Sequence, residues 1–159
     1  MVLSLLSQSA IASSDIAAHP AIINSHNCLS GPYQTRDNFV QVITDFMPFD
    51  PSIIKRVVSE EWFEHFQSNY ECRRYTYSVD NHNVIGYMIR KSDRDSQQPA
   101  LIYHRGGNAN YGSLNPWIVL NKLREFADEG YSVFASNLRT RDEFGGSDVN
   151  DSRVMIDIA

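Results

Sequence analysis

The spacing of apolar residues changes character near residue 70. Before that point it is helical. Phe39, Val42, Ile43 and Phe46 fall at i, i+3, i+4 and i+7, one face of a helix that Pro48 ends. Asp50 is a good N-cap, and Pro51 suits the first helical position because its missing N–H would have had no partner there. Ile53, Ile54, Val57, Val58, Trp62, Phe63 and Phe66 then continue a second amphipathic helix to about Phe66. Ser59 is placed to break that helix and cap a new turn.

After Tyr70 the pattern is that of strands. Tyr75, Tyr77 and Val79 alternate with polar residues, Asp80-Asn81-His82-Asn83 is turn-forming, and Ile85, Tyr87 and Ile89 alternate again, which predicts a β-hairpin. Ser92 to Gln98 is a polar loop closed by Pro99. Ala100-Leu101-Ile102-Tyr103 is a continuous apolar run, as in a strand buried on both faces. Asn115 then caps a helix with Pro116 at its first position, Trp117, Leu120, Leu123, Phe126 and Ala127 on its apolar face, and Gly130 as its stop. Tyr131 to Ala135 is a further strand, so residues 100–135 predict a βαβ unit with a parallel strand pair. A polar loop from Asn137 to Gly146 follows. Asp148 or Asp151 is then positioned to cap a last helix carrying Val154, Met155 and Ile158.

A chain of 159 residues suffices for one domain with a real core. The pattern places a mostly helical lead-in at residues 1–70 and an α/β part at 71–159. Net charge is −5 and the basic residues are scattered, which argues against a nucleic-acid partner. Cys28 and Cys72 fit no zinc or redox spacing and read as two reduced, partly buried thiols, with pairing in an oxidising compartment as the alternative. His19, His26 and Cys28 form too loose a cluster for a metal, and no cofactor is expected. No apolar run is long enough to span a membrane. The first 13 residues lack the basic region of a signal peptide, so the chain is expected to be cytoplasmic, with secretion as the lesser reading.

Two loops carry candidate chemistry. His104-Arg105-Gly106-Gly107-Asn108 follows the apolar run and precedes a helix. Reacting groups collect at the carboxyl ends of parallel strands, and a glycine pair there lets backbone N–H groups approach a substrate and hold a tetrahedral oxyanion. The plainer reading is a tight strand-to-helix turn. Asn137 to Asp148 gathers acid, base and glycine at the end of the next strand; by itself it reads as a solvated, charged loop.

Together the two loops resemble the prolyl-oligopeptidase-like branch of the α/β-hydrolases. The matching residues are Tyr103-His-Arg-Gly-Gly-Asn108, Gly130-Tyr-Ser-Val133, Asn137-Leu-Arg139 and Glu143-Phe-Gly145. The similarity covers roughly residues 72–159. It implies an incomplete α/β-hydrolase fold, a leading hairpin plus the first βαβ unit of the sheet. It also implies oxyanion donors at the backbone of Gly106 or Gly107. Arg105 stands where some relatives carry a tyrosine, and Arg105, Asn108, Arg139 and Glu143 are the implied substrate contacts, for a peptide or ester.

The nucleophile elbow of that fold, Gly-x-Ser-x-Gly, is not in the sequence. Gly145-Gly-Ser-Asp-Val149 has valine in place of the last glycine, and no buried strand precedes Ser147. The family's order is Ser, Asp, His, all beyond the second loop, so His65, His82 and His104 come too early to be its base. The expectation is an N-terminal fragment of a serine hydrolase, peptidase or esterase, inactive by itself. A short non-catalytic α/β binding or interaction protein is the alternative, and a degenerate reading frame the third.

Overall fold

The hairpin frames the sheet. Strands β2 (Tyr70–Val79) and β3 (His82–Lys91) pair along their whole length, from Tyr70 opposite Lys91 to Val79 opposite His82. The connection is two residues, Asp80 and Asn81, with φ of 49° and 60°. Two left-handed residues give a turn whose twist matches that of the strands, and Asp and Asn adopt that conformation at low cost. The computed structural model describes residues 16–46, 50–93, 98–107, 111–139 and 145–159.

Three further strands, β1 (Ile22–Asn27), β4 (Ala100–His104) and β5 (Ser132–Ser136), complete a mixed five-stranded sheet in the order β1-β2-β3-β5-β4. Only β4 and β5 are parallel. Their connection is helical: α4 (Pro116–Ile118), a π-helical turn at Val119–Leu123, and α5 (Arg124–Asp128). Its ends follow the sequence. Asn115 Oδ1 accepts from Ile118 N at 2.9 Å. At the other end Gly130 has φ of 99°, Gly130 N donates to Ala127 O and Tyr131 N to Phe126 O, the two bonds of a Schellman stop.

Helices cover both faces. On one, α1 (Arg36–Phe46), α2 (Pro51–Val57), α3 (Glu60–Asn69) and the crossover helix bury Phe39, Ile54, Phe66 and Leu120 against Cys72, Tyr87, Ile89 and Val133. On the other, α6 (Val149–Ile158) and Ile16 meet Tyr75, Tyr77, Val84 and Phe134. Strand β5, covered on both sides, is buried at every position. Ser59 does divide the second helix, accepting from Trp62 N at 3.1 Å at the start of α3.

Tyr75 sits opposite Gly86, and a Cβ on Gly86 would overlap the Tyr75 ring. The glycine is what lets that ring lie flat over β3. The Tyr75 hydroxyl is buried with no hydrogen-bond partner among the described residues. Burial pushes its pKa well above the usual phenol range; burial does the same to Tyr77, partly offset by a hydrogen bond with Ser136.

The structure departs from the sequence pattern in several places. Phe46, expected on the buried face of α1, is 74% exposed; Val40 takes its place beside Phe39 and Ile43, and Phe46 projects beyond that stripe at the last turn. Ile53, Val57 and Phe126 also face outward. Strand β4 was expected to be interior. It is an edge strand, with Leu101, Ile102 and Tyr103 half-buried. The lead-in also supplies a strand, β1, which its polar composition did not announce.

That strand explains the largest correction. Cys28 and Cys72 are joined in a disulfide, not two reduced thiols. The β1–β2 ladder places Asn27 opposite Arg73, and one step further Cys28 N donates to Cys72 O at 3.0 Å, bringing the two Cα atoms to 5.3 Å. A separation of 44 residues hides this in the sequence. Closing a loop of that size removes unfolded-state entropy equivalent to about 4 kcal/mol. Reduction, or a Cys28→Ser/Cys72→Ser double substitution, is therefore expected to lower unfolding stability by about that amount. Urea titrations of the oxidised and reduced chain check this; coincident curves would contradict it.

Candidate functional site

The first candidate loop leaves the carboxyl end of β4 and closes on itself. His104 is exposed, whereas Arg105 is only 7% exposed. Arg105 Nε donates to Asn137 O and Nη1 to Tyr111 O, both at 2.8 Å. Arg105 thus ties the loop after β4 to the loop after β5 and to its own far side. Gly107 has φ of 97°, and a Cβ there would overlap the same Tyr111 carbonyl. Gly112, at φ of 76°, would meet the Gly106 carbonyl in the same way. Gly107 and Gly112 are therefore required by the loop's shape. Gly106 differs: it is exposed, and a Cβ built on it has nothing within 4 Å among the described residues.

Asn137 fixes the neighbouring wall. Its Oδ1 accepts from Leu114 N at 2.6 Å, its Nδ2 donates to Leu114 O at 3.1 Å, and its own N–H donates to Ile85 O. One side-chain amide so replaces a strand partner for the segment leading into α4. Leu138 follows with φ of 54°, its N–H donating to Ser136 Oγ at 2.9 Å.

Arg139 belongs to a different assembly. Its backbone N–H donates to Asp151 Oδ2 at 2.7 Å, and its guanidinium grips the same carboxylate, with Nη2 to Oδ1 at 2.7 Å. Nη2 also reaches Asp80 Oδ2 at 3.1 Å, and Asn150 Nδ2 donates to that oxygen at 2.8 Å. Asp151 is fully buried. The hydrogen bonds it donates to Asp151 hold the Arg139 guanidinium protonated more firmly than usual, against the opposing effect of burial. Bonds from Asn150 and Arg139 hold the Asp80 carboxyl below its usual range. Tyr77 completes the cluster, sharing a 2.7 Å bond with Ser136 Oγ and donating to Asp151 O at 3.0 Å.

Of the expected site residues, Arg105, Gly106 and Gly107 lie together in one loop, walled by Asn137. Arg139 directs its guanidinium to Asp151 and Asp80. Asn108 and Glu143 lie outside the described residues. Ser147 is exposed in the turn before α6. Asp148 stands at the N-cap position of α6 as expected but makes no capping bond into the helix; its carboxylate accepts from Gly145 N at 3.3 Å. Among the described residues no cluster of His, Cys, Asp and Glu could hold a metal ion. Among the described residues, the first loop offers an open, solvent-facing glycine backbone at the end of a parallel strand.

Sequence reasoning missed Asn137 as the clamp on Leu114 and Asp151 as the counter-charge of Arg139. Removing one partner of a buried pair strands the other. Arg139→Ala is expected to cost about 3–5 kcal/mol, with Arg139→Lys retaining part of it because the charge stays while the fork is lost. Asp80 adds a pH signature. Its lowered folded pKa means its contribution is present above the usual carboxylate range and is lost as pH falls through the folded value. Chemical unfolding between neutral and acid pH, with and without Asp80→Asn, measures both effects; an Arg139→Ala protein as stable as wild type would refute the assignment.

Comparison with known protein families, with curated proteins and with solved structures finds no match for this chain.

Proposed function

We propose that this chain forms the leading part of an α/β-hydrolase-type domain of the prolyl-oligopeptidase-like branch. The reaction is acyl transfer from a peptide or ester to water, and the nucleophilic serine is not among these 159 residues. The observation that carries the reading is the open backbone of Gly106 at the carboxyl end of a parallel strand, held by a loop whose other glycines cannot be replaced. A leading antiparallel hairpin followed by the βαβ unit supports it.

In that reaction we assign the oxyanion to the Gly106 N–H, because the described residues leave room for substrate at its Cα. Gly107 supplies the left-handed turn. Arg105 acts from below by fixing the loop, and donors that do not reorganise during the reaction are worth most. Among the described residues no helix is long and apolar enough to cross a membrane. The buried Cys28–Cys72 bridge favours an oxidising compartment over the cytoplasm.

The 159-residue chain is expected not to react with a fluorophosphonate probe; labelling at a single serine, Ser147 above all, would overturn the reading. In a protein carrying the nucleophile, Gly106→Val is the informative change, since Gly107→Val would break the loop outright. A branched side chain at the open position occupies the oxyanion space, so kcat should fall on the order of 10² with a much smaller change in KM. Unchanged kcat would reduce the loop to a turn.

A further inference from the structure

A second site lies on the other flank of the sheet, independent of the hydrolase reading. Between β1, the Gly31–Tyr33 turn and β2 is an open cleft of about 570 Å³, within the size range of small-molecule sites. Its floor is set by strand register. Arg74 pairs across the sheet with His26 on one side and Tyr87 on the other, so the three side chains form one row on one face. The Tyr33 ring and Pro32 make the apolar wall, and the Cys28–Cys72 disulfide anchors the base.

Among the basic residues of the strands, Arg74 stands apart in its charge balance. Arg73 and Arg90 share Glu71, Lys91 and Arg124 meet Asp128, and Arg139 holds Asp80 and Asp151. Arg74 is half-buried and, among the described residues, has no carboxylate within ion-pair distance; it pairs across the strands with Tyr87, whose pKa its guanidinium lowers against the larger effect of burial. Tyr33 and Tyr87 are both raised above the usual phenol range, chiefly by burial and against the opposing charge of Arg74, so both remain hydrogen-bond donors. Ser30 and Asn27 are engaged with the turn itself: Ser30 Oγ donates to Asn27 O at 2.7 Å and Leu29 N to Asn27 Oδ1 at 2.7 Å. They shape the cleft and leave the guanidinium as its polar centre.

We propose that this cleft binds a small aromatic monocarboxylate, its carboxylate on the Arg74 guanidinium and its ring against Tyr33 and Pro32. One uncompensated positive charge matches one negative charge, and the planar fork of arginine matches a carboxylate edge to edge. The disulfide and the paired strands hold the walls before the ligand arrives, which limits the ordering cost of binding.

Amide chemical-shift titration of the oxidised chain at constant ionic strength tests this, with sodium benzoate as probe, benzamide as its neutral counterpart and inorganic phosphate as competing anion. Benzoate should produce saturable shifts centred on residues 26–33 and 73–75, with at least tenfold tighter binding than benzamide. Arg74→Gln should weaken benzoate about tenfold or more, and Arg74→Lys should recover only part of it. Tyr33→Leu, which leaves every strand pairing intact, should also weaken benzoate and guards against a misfolded Arg74 variant. Equal binding of benzoate and benzamide would overturn the proposal. So would tighter binding of phosphate than benzoate, or affinity unchanged by both Arg74→Gln and Tyr33→Leu.

Discussion

The fully buried carboxylate of Asp151 is the constraint from which much of the arrangement follows. A charge without access to water must be matched, and Arg139 matches it with a backbone N–H and a two-pronged guanidinium. That one contact joins α6 to the loop after β5. Through Asp80 it reaches the hairpin turn, and through the Asp151 carbonyl and Tyr77 it reaches the middle of the sheet. Apolar contact alone would let a ten-residue helix settle in several positions over the sheet. The ion pair selects the one in which Met155 and Ile158 cover Tyr75 and Tyr77.

What was legible in the sequence is what is decided locally. Asp80-Asn81, Asn115-Pro116, Gly130 and the Ser59 break each act within a few residues, and each appears where the pattern puts it. Strand β1 is the opposite case. Ile22-Ile-Asn-Ser-His-Asn27 carries few apolar residues and becomes a strand because β2 offers it a backbone ladder. The disulfide was illegible for the same reason: only the β1–β2 register brings its two halves together. Phe46 shows a third limit, since helical spacing names a face without saying how far along the helix that face stays covered.

The candidate site divides along the same line. The glycine pair after β4 was readable because a strand-to-helix junction needs such residues, whether for shape or for chemistry. The structure separates these uses, giving Gly107 to shape and leaving Gly106 open. The charged residues of the two loops were legible as residue types and not as contacts. Arg105 and Arg139 looked like groups facing solvent and substrate, yet one binds backbone carbonyls and the other a buried carboxylate. A sequence shows that a charge exists; its counter-charge, here 12 or 59 residues away, becomes visible only in three dimensions.

The ring of Tyr75 packed over Gly86 has an optical corollary. Burial strongly disfavours the phenolate of Tyr75 and of Tyr77 while the sheet is intact. The unfolded chain has no such restriction and ionises near the ordinary tyrosine value of about 10. Folding free energy contributed by these two rings is fully present below that pH and drains away as pH rises above it. Part of the alkaline ultraviolet difference spectrum should therefore develop abruptly, at the rate of global opening, while the exposed tyrosines titrate at once. The buried pair is in effect a chromophore that reports the integrity of the sheet.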